Sequence, residues 1–215
     1  MTTLAFALAA TIKHDGHGGI ADLLSTPAEA ATWLADHQDL VAEVLGGKLP
    51  AELSGKNSAL GAGLFPESRA DAAEGVWPEL VRIRRVVRAL FARAVAPGAP
   101  SKADADRLMD VDAAVRTVNR AADRLGTERL EWPVGGEPVV RRVARTEDPV
   151  ALVIGAVGRS AIDFLVSPDR ARLRACPAAR CVKYFLQDDP RQTWCSPACG
   201  NRERVNRHYR RRAAG

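Results

Sequence analysis

All four cysteines of the chain fall within 24 residues, as Cys176, Cys181, Cys195 and Cys199. Their spacing is Cys-x4-Cys, thirteen intervening residues, then Cys-x3-Cys. Two thiols from one turn, repeated after a dozen or so residues, suit a tetrahedral four-cysteine zinc site, because the loop between the pairs brings them together. Pro177 sets the first pair in a turn. Ser196 suits a helix cap and Pro197 the first helical position, which puts Cys199 in the first turn, where free N–H groups favour the thiolate that zinc requires. Two disulfides are the alternative and a redox dithiol the third. A reducing cytoplasm argues against the first, and the lack of a Cys-x-x-Cys pair against the second. Four thiolates leave no open position for water, so the expected cofactor is one structural Zn2+.

The cysteines lead into a basic segment. Six arginines and one glutamate occupy the 11 positions from 202 to 212. On a helix, Arg204, Arg207 and Arg211 share a face with Arg210 beside them, and Val205 and Tyr209 are placed to pack back on the finger. The guanidinium fork matches phosphate and guanine edges, and Asn206 has the chemistry to read adenine. Residues 169–215 carry twelve Lys and Arg against four Asp and Glu, a net of +8, whereas residues 1–168 carry nineteen against twenty-two, a net of −3. A solvated terminal helix is the plain alternative. The near absence of opposing charge and a metal cluster pinning the helix start favour nucleic-acid contact by Arg202, Arg204, Arg207, Arg210 and Arg211. Arg202 follows Cys199 closely and suits bracing of the finger as well.

The rest of the chain patterns as helices. Thr26, Pro27 and Glu29 form a capping box for a helix carrying Trp33, Leu34, Val41, Val44 and Leu45, stopped by Gly46 and Gly47. Residues 46–75 form a long connection with a short helix. A second helix is expected to start near Pro78, with Leu80, Ile83, Val87, Leu90, Phe91 and Ala94 on one apolar face and Arg82, Arg85, Arg88 and Arg93 away from it. Ser101 and Asp104 start a third, bearing Leu108, Val111, Val115, Val118 and Leu125. Leu130–Trp132 and Val139–Val143 flank Gly135-Gly136 as a hairpin. A fourth helix from Asp148-Pro149 is apolar nearly all round and occupies the centre, its glycines between 155 and 160 allowing close packing. Trp33, Trp77 and Trp132 are assigned to the core. The fold class is thus mainly α, with a helical domain over 1–168, able to fold alone, and a small finger with its basic helix over 169–215.

The string Trp194-Cys195-Ser196-Pro197-Ala198-Cys199-Gly200-Asn201-Arg202 resembles the signature of the CGNR zinc finger, named for the Cys-Gly-Asn-Arg found here at 199–202. Leu173-Arg174-Ala175-Cys176 and Tyr184-Phe185 extend the likeness. Two departures are a somewhat shorter loop between the cysteine pairs and Gln187 at a position where the family carries aspartate. The stretch His14-Asp15-Gly16-His17-Gly18-Gly19-Ile20-Ala21-Asp22-Leu23-Leu24, with Thr26-Pro27 and Trp33-Leu34, is similar to the opening of the helical ABATE domain, assigned to stress-induced transcription regulation. The resemblance implies a zinc-dependent DNA-binding regulator whose N-terminal domain senses an effector or forms a homodimer. The rival reading is an interaction module for RNA or an acidic protein partner.

Other signals are weaker. His14, Asp15 and His17 precede two glycines and are candidates for a small-molecule pocket or a metal site, although such loop histidines are usually ordinary loop residues. Gly55-Lys56-Asn57-Ser58 lacks the earlier glycine of a phosphate loop, Pro50 standing there. No set of nucleophile, base and orienting group has a supporting context, so no enzyme is expected. The apolar run Leu4–Ile12 lacks a preceding basic residue and reads as a buried segment. No stretch approaches the ~20 apolar residues of a membrane span, and the expected location is the cytoplasm.

Overall fold

The computed structural model describes residues 3–15, 19–46 and 69–213. Residues 47–68 of the long connection, the rejected phosphate-loop segment and His17 lie outside them, while residues 69–75, expected in that connection, are helical. Helix α1 (Leu4–Ala9) is capped by the Thr3 hydroxyl and buries Leu4, Ala5, Leu8 and Ala9. A small antiparallel hairpin follows, β1 (Ile12–His14) with β2 (Ile20–Asp22). Helices α2 (Pro27–Asp36) and α3 (Gln38–Val44) come next, then the long α4 (Arg69–Ala94), α5 (Val111–Ala122), the hairpin β3 (Thr127–Glu131) and β4 (Val139–Val143), and α6 (Pro149–Val166). A third hairpin, β5 (Leu173–Ala175) with β6 (Tyr184–Leu186), carries the first cysteine pair, and α7 (Pro197–Ala213) the last cysteine.

Helix α6 lies at the centre, against α1, α4 and α5, as its all-round apolarity demands. Its length and composition would suffice to cross a membrane. Here Leu152, Val153, Ile154, Ala156, Val157, Ala161 and Phe164 are buried in protein instead. A β-carbon at Gly155 would stand 2.8 Å from Leu125, and one at Gly158 2.9 Å from Ala121, so both glycines let α5 approach closely. Phe6, Phe91 and Phe164 pack with ring centroids 5.2–5.5 Å apart, an edge-on and tilted arrangement suited to the ring quadrupoles.

Several sequence expectations give way to packing. The Thr26 capping box is present, yet the helix it starts is broken at His37, where φ is −119°, ψ is 16° and the imidazole stacks on Trp33. Helix α4 starts at Arg69, not near Pro78, which lies inside it. A proline there costs about 3 kcal/mol in an isolated helix. Packing upstream offsets that cost, since Val76 is fully buried and the Trp77 indole donates to the Leu24 carbonyl at 2.7 Å. The third helix starts at Val111, capped by Asp110, because Ser101 and Asp104 are turned inward for another task. Trp132 is not in the core but exposed beside the β3–β4 hairpin.

Arg84 and Arg88, one turn apart on α4, are both buried, although helical patterning puts Arg88 off the apolar face. Arg84 donates to both Asp22 carboxylate oxygens and to the Thr11 hydroxyl, fastening the first hairpin to the core. Burial pushes the Asp22 carboxyl up, but the hydrogen bonds from Arg84 and the Leu24 N–H outweigh it and hold the group below the ordinary aspartate range. A folded-state value below the unfolded one gives stability that is fully present above about pH 4 and is lost as pH falls through the folded value. Acid titration of thermal stability should therefore steepen below about pH 4 in the wild type and less in Asp22→Asn. Equal slopes would exclude this pair as a source of acid sensitivity.

Candidate metal centre and nucleic-acid interface

The four cysteine sulfurs lie within 4.8 Å of one another. Cys181 Sγ to Cys195 Sγ is 3.7 Å and Cys195 Sγ to Cys199 Sγ is 3.6 Å. A tetrahedron with metal–sulfur bonds of about 2.3 Å has edges of about 3.8 Å, so the cage fits zinc. A disulfide needs about 2.05 Å, and all four thiols are free. Hydrogen bonds from Cys181 and Cys195 hold Cys176 far below the usual thiol range, while the sulfurs of Cys176 and Cys181 push Cys195 up. A bound dication would draw all four to the thiolate.

Local structure presents each ligand. The first knuckle is closed by Cys176 N–H to Lys183 O at 2.9 Å and Cys181 N–H to Ala178 O at 3.0 Å, with Arg180 at a left-handed φ of 64°. Cys195 N–H points at Cys176 Sγ, 3.5 Å away. The Ser196 hydroxyl caps α7 through the Cys199 N–H, as the sequence suggests. Gly200 packs under Trp194, where a β-carbon would stand 3.2 Å from the ring, a tight contact. Between the pairs, Gln187 donates to the Pro190 and Gln192 carbonyls and Gln192 accepts from Asp188 N–H, which closes the shortened loop on itself.

Sequence reasoning missed the clasp that joins the finger to the body. Leu173 and Tyr184 belong to the body's own hydrophobic core. Arg88 reaches Asp104 Oδ1 at 2.8 Å, Ala9 O at 2.7 Å, Ser101 Oγ at 3.0 Å and Val182 O at 3.3 Å. Its guanidinium carbon lies 5.2 Å from the centre of the Tyr184 ring. The Tyr184 hydroxyl donates to Asp104 Oδ2 at 2.7 Å, and burial together with the Asp104 charge pushes that phenol up. Lys102 adds an exposed fastening, its ammonium donating to the Pro177 and Ala178 carbonyls at 3.0 and 2.8 Å. Expected as helix-start residues, Ser101 and Asp104 serve instead as the body's half of this contact.

Only the first turns of α7 touch the finger. Glu203 accepts from the Ala179 N–H at 2.6 Å, which lowers its carboxyl, and Arg202 donates to Ala179 O at 3.4 Å. Arg202 thus braces the finger. Asn206 donates to Glu203 at 3.4 Å, so its amide is engaged within the helix. From Arg207 to Arg212 every residue is exposed. Val205 and Tyr209 do not pack back on the finger as expected; they are 52% and 65% exposed, because the helix has by then left the finger. Arg204, Arg207 and Arg211 lie along one open face, and none has an acid partner among the described residues.

In the candidate pocket, His14 ends β1, and Asp15 exchanges hydrogen bonds with Gly19, accepting its N–H on Oδ1 at 2.9 Å. Asp15 has a structural task there. Residues 172–212 match the CGNR zinc finger family, and residues 2–168 match the ABATE family, described as "Putative stress-induced transcription regulator". A search of curated proteins gives no match. The cysteine cage and the finger family agree on one structural zinc ion, held by Cys176, Cys181, Cys195 and Cys199. With most of its length matched by one family and its cysteine cage by the other, the chain belongs to the ABATE family and ends in a CGNR zinc finger.

Proposed function

We propose that the chain is a zinc-dependent regulator of transcription in which the finger docks α7 on duplex DNA. The observation that carries this reading is the free-standing part of α7. From Arg204 to Arg212 it extends about 12 Å at 1.5 Å per residue, a length that suits the major groove. The finger fixes its first turn, so the arginine face is presented in one orientation rather than as a frayed tail. Arg204, Arg207, Arg210 and Arg211 are assigned to the DNA and Arg202 to the finger. The ABATE domain would sense a small-molecule effector or pair two copies. Four reduced thiols suit a cytoplasmic location.

The test is fluorescence anisotropy on labelled duplexes across a salt series. Three phosphate contacts, by Arg204, Arg210 and Arg211, give a slope of log affinity against log salt of about −3. Arg210→Ala should weaken all sequences alike and flatten the slope by about one unit. Arg207 sits mid-helix between Arg204 and Arg211 and is the candidate base reader; Arg207→Ala should relax preference at one position, at a cost of about 1–3 kcal/mol. Weak, salt-insensitive duplex binding unchanged by joint alanine replacement of Arg204, Arg207 and Arg211 would overturn the reading in favour of an acidic protein partner. Preference for single-stranded RNA competitor would favour RNA.

A further inference from the structure

The β3–β4 hairpin leaves unexplained apolar surface. Leu130 is 68%, Trp132 69% and Val140 66% exposed, and Val134, Val139 and Val143 are exposed as well. Leu130 and Val140 are directly opposite in the register and therefore share one face of the ribbon. Isolated two-stranded ribbons are marginal in water, and an apolar one with open edges invites pairing with another strand. Among the described residues β3 pairs with β4 alone, so its other edge is open. The base of the hairpin is anchored by two contacts. Gly126 has φ +71° and packs so closely that a β-carbon would collide with the Val143 carbonyl, and Arg145 N–H donates to Arg124 O at 3.1 Å.

The β3 sequence, Thr127-Glu128-Arg129-Leu130-Glu131, complements itself when run antiparallel. With Leu130 opposite Leu130 of a second copy, each Arg129 stands opposite a Glu131. No other antiparallel register centred on a residue of β3 pairs opposite charges: centring on Glu128 or Arg129 sets like charges together on the axis. We propose that β3 pairs with β3 of a second copy about a two-fold axis at Leu130, forming a four-stranded sheet. Its central row then runs Val140, Leu130, Leu130, Val140, a continuous apolar strip, while two Arg129–Glu131 pairs fix the register on the opposite face. Exposed apolar area alone would accept many partners. The charge alternation selects this chain itself.

Sedimentation velocity of the zinc-loaded full chain, without nucleic acid, tests this over about 1–100 μM, a range that brackets weak and moderate homodimers. The expected species is twice the 23.1 kDa chain mass. Arg129→Glu and Glu131→Arg should each raise the dimer dissociation constant by about tenfold or more, because each creates two like-charge contacts across the axis. The double variant Arg129→Glu with Glu131→Arg should restore wild-type association, and Leu130→Lys should abolish it. Zinc content and circular dichroism establish that each variant is folded. A wild type monomeric throughout the range overturns the proposal, as does a dimer indifferent to the charge reversals or a folded double variant that is not rescued. Since the readout is mass in the absence of DNA, it stands or falls separately from the duplex-binding reading.

Discussion

Chelation of the zinc at neutral pH is expected to unfold residues 172–200 and to lower the melting temperature of the helical body with them. Beside its ligands, the finger's own core holds little more than Ala178, Phe185 and Trp194. The metal supplies the difference, on the order of 10–16 kcal/mol in such modules. The loss does not stop at the finger, because Leu173 and Tyr184 are part of the body's core and would leave it uncovered. A chromogenic zinc-release assay combined with scanning calorimetry measures both effects. Release of one zinc per chain with an unshifted body transition would show that the two regions are energetically independent. Protein purified under reducing conditions that holds no zinc and two disulfides would overturn the metal assignment itself.

The second large effect is expected at Arg88. Arg88→Met keeps the volume of the stem but leaves Asp104 buried opposite no cation and takes a donor from Ala9 O and one of two donors from Val182 O, which keeps Ser101. Breaking one side of a buried ion pair costs about 3–5 kcal/mol. For a chain of this length that is a fall in melting temperature on the order of 10 °C. Tyr184→Phe removes one hydroxyl from the same network and should cost less, about 1–3 kcal/mol. The pair of variants is informative in duplex binding too. If the clasp orients the finger, Arg88→Met should weaken DNA binding at temperatures where the protein remains folded and zinc-loaded. A change below 1 kcal/mol in chemical denaturation would show that water replaces the clasp without loss.

The ligand set was legible because metal chemistry leaves its mark in local spacing: Cys176 with Cys181 and Cys195 with Cys199 are each near in sequence, and one helix cap orients the last. The helices around Val153 and Leu80 were legible from periodicity for the same reason. What escaped were features set by distant partners. Ser101 and Asp104 have the residue types and spacing of a helix start, and only the arrival of Arg88 from α4 and Tyr184 from the finger turns them inward. Arg88 itself flanks the apolar face, so a count of apolar positions assigns it to solvent. Pro78 reads as a start signal, because the sequence carries no local trace of the Leu24 carbonyl that Trp77 finds 53 residues away. Tyr209 and Val205 sit at packing intervals, yet there is nothing beneath that part of α7 to pack on.

The clasp also bears on how such a chain can be reshuffled. A recombination that transplants residues 169–215 into another protein carries the zinc ligands and α7 but leaves behind Arg88, Ser101, Lys102 and Asp104. The recipient would gain a finger whose Tyr184 faces water and whose Val182 carbonyl has lost its donors. A graft that keeps its orientation must therefore import a patch of the donor's α4 and of the 101–104 turn as well. By the same reasoning, body and finger are coupled in sequence: a substitution at Tyr184 is felt at Arg88 and Asp104, and the reverse.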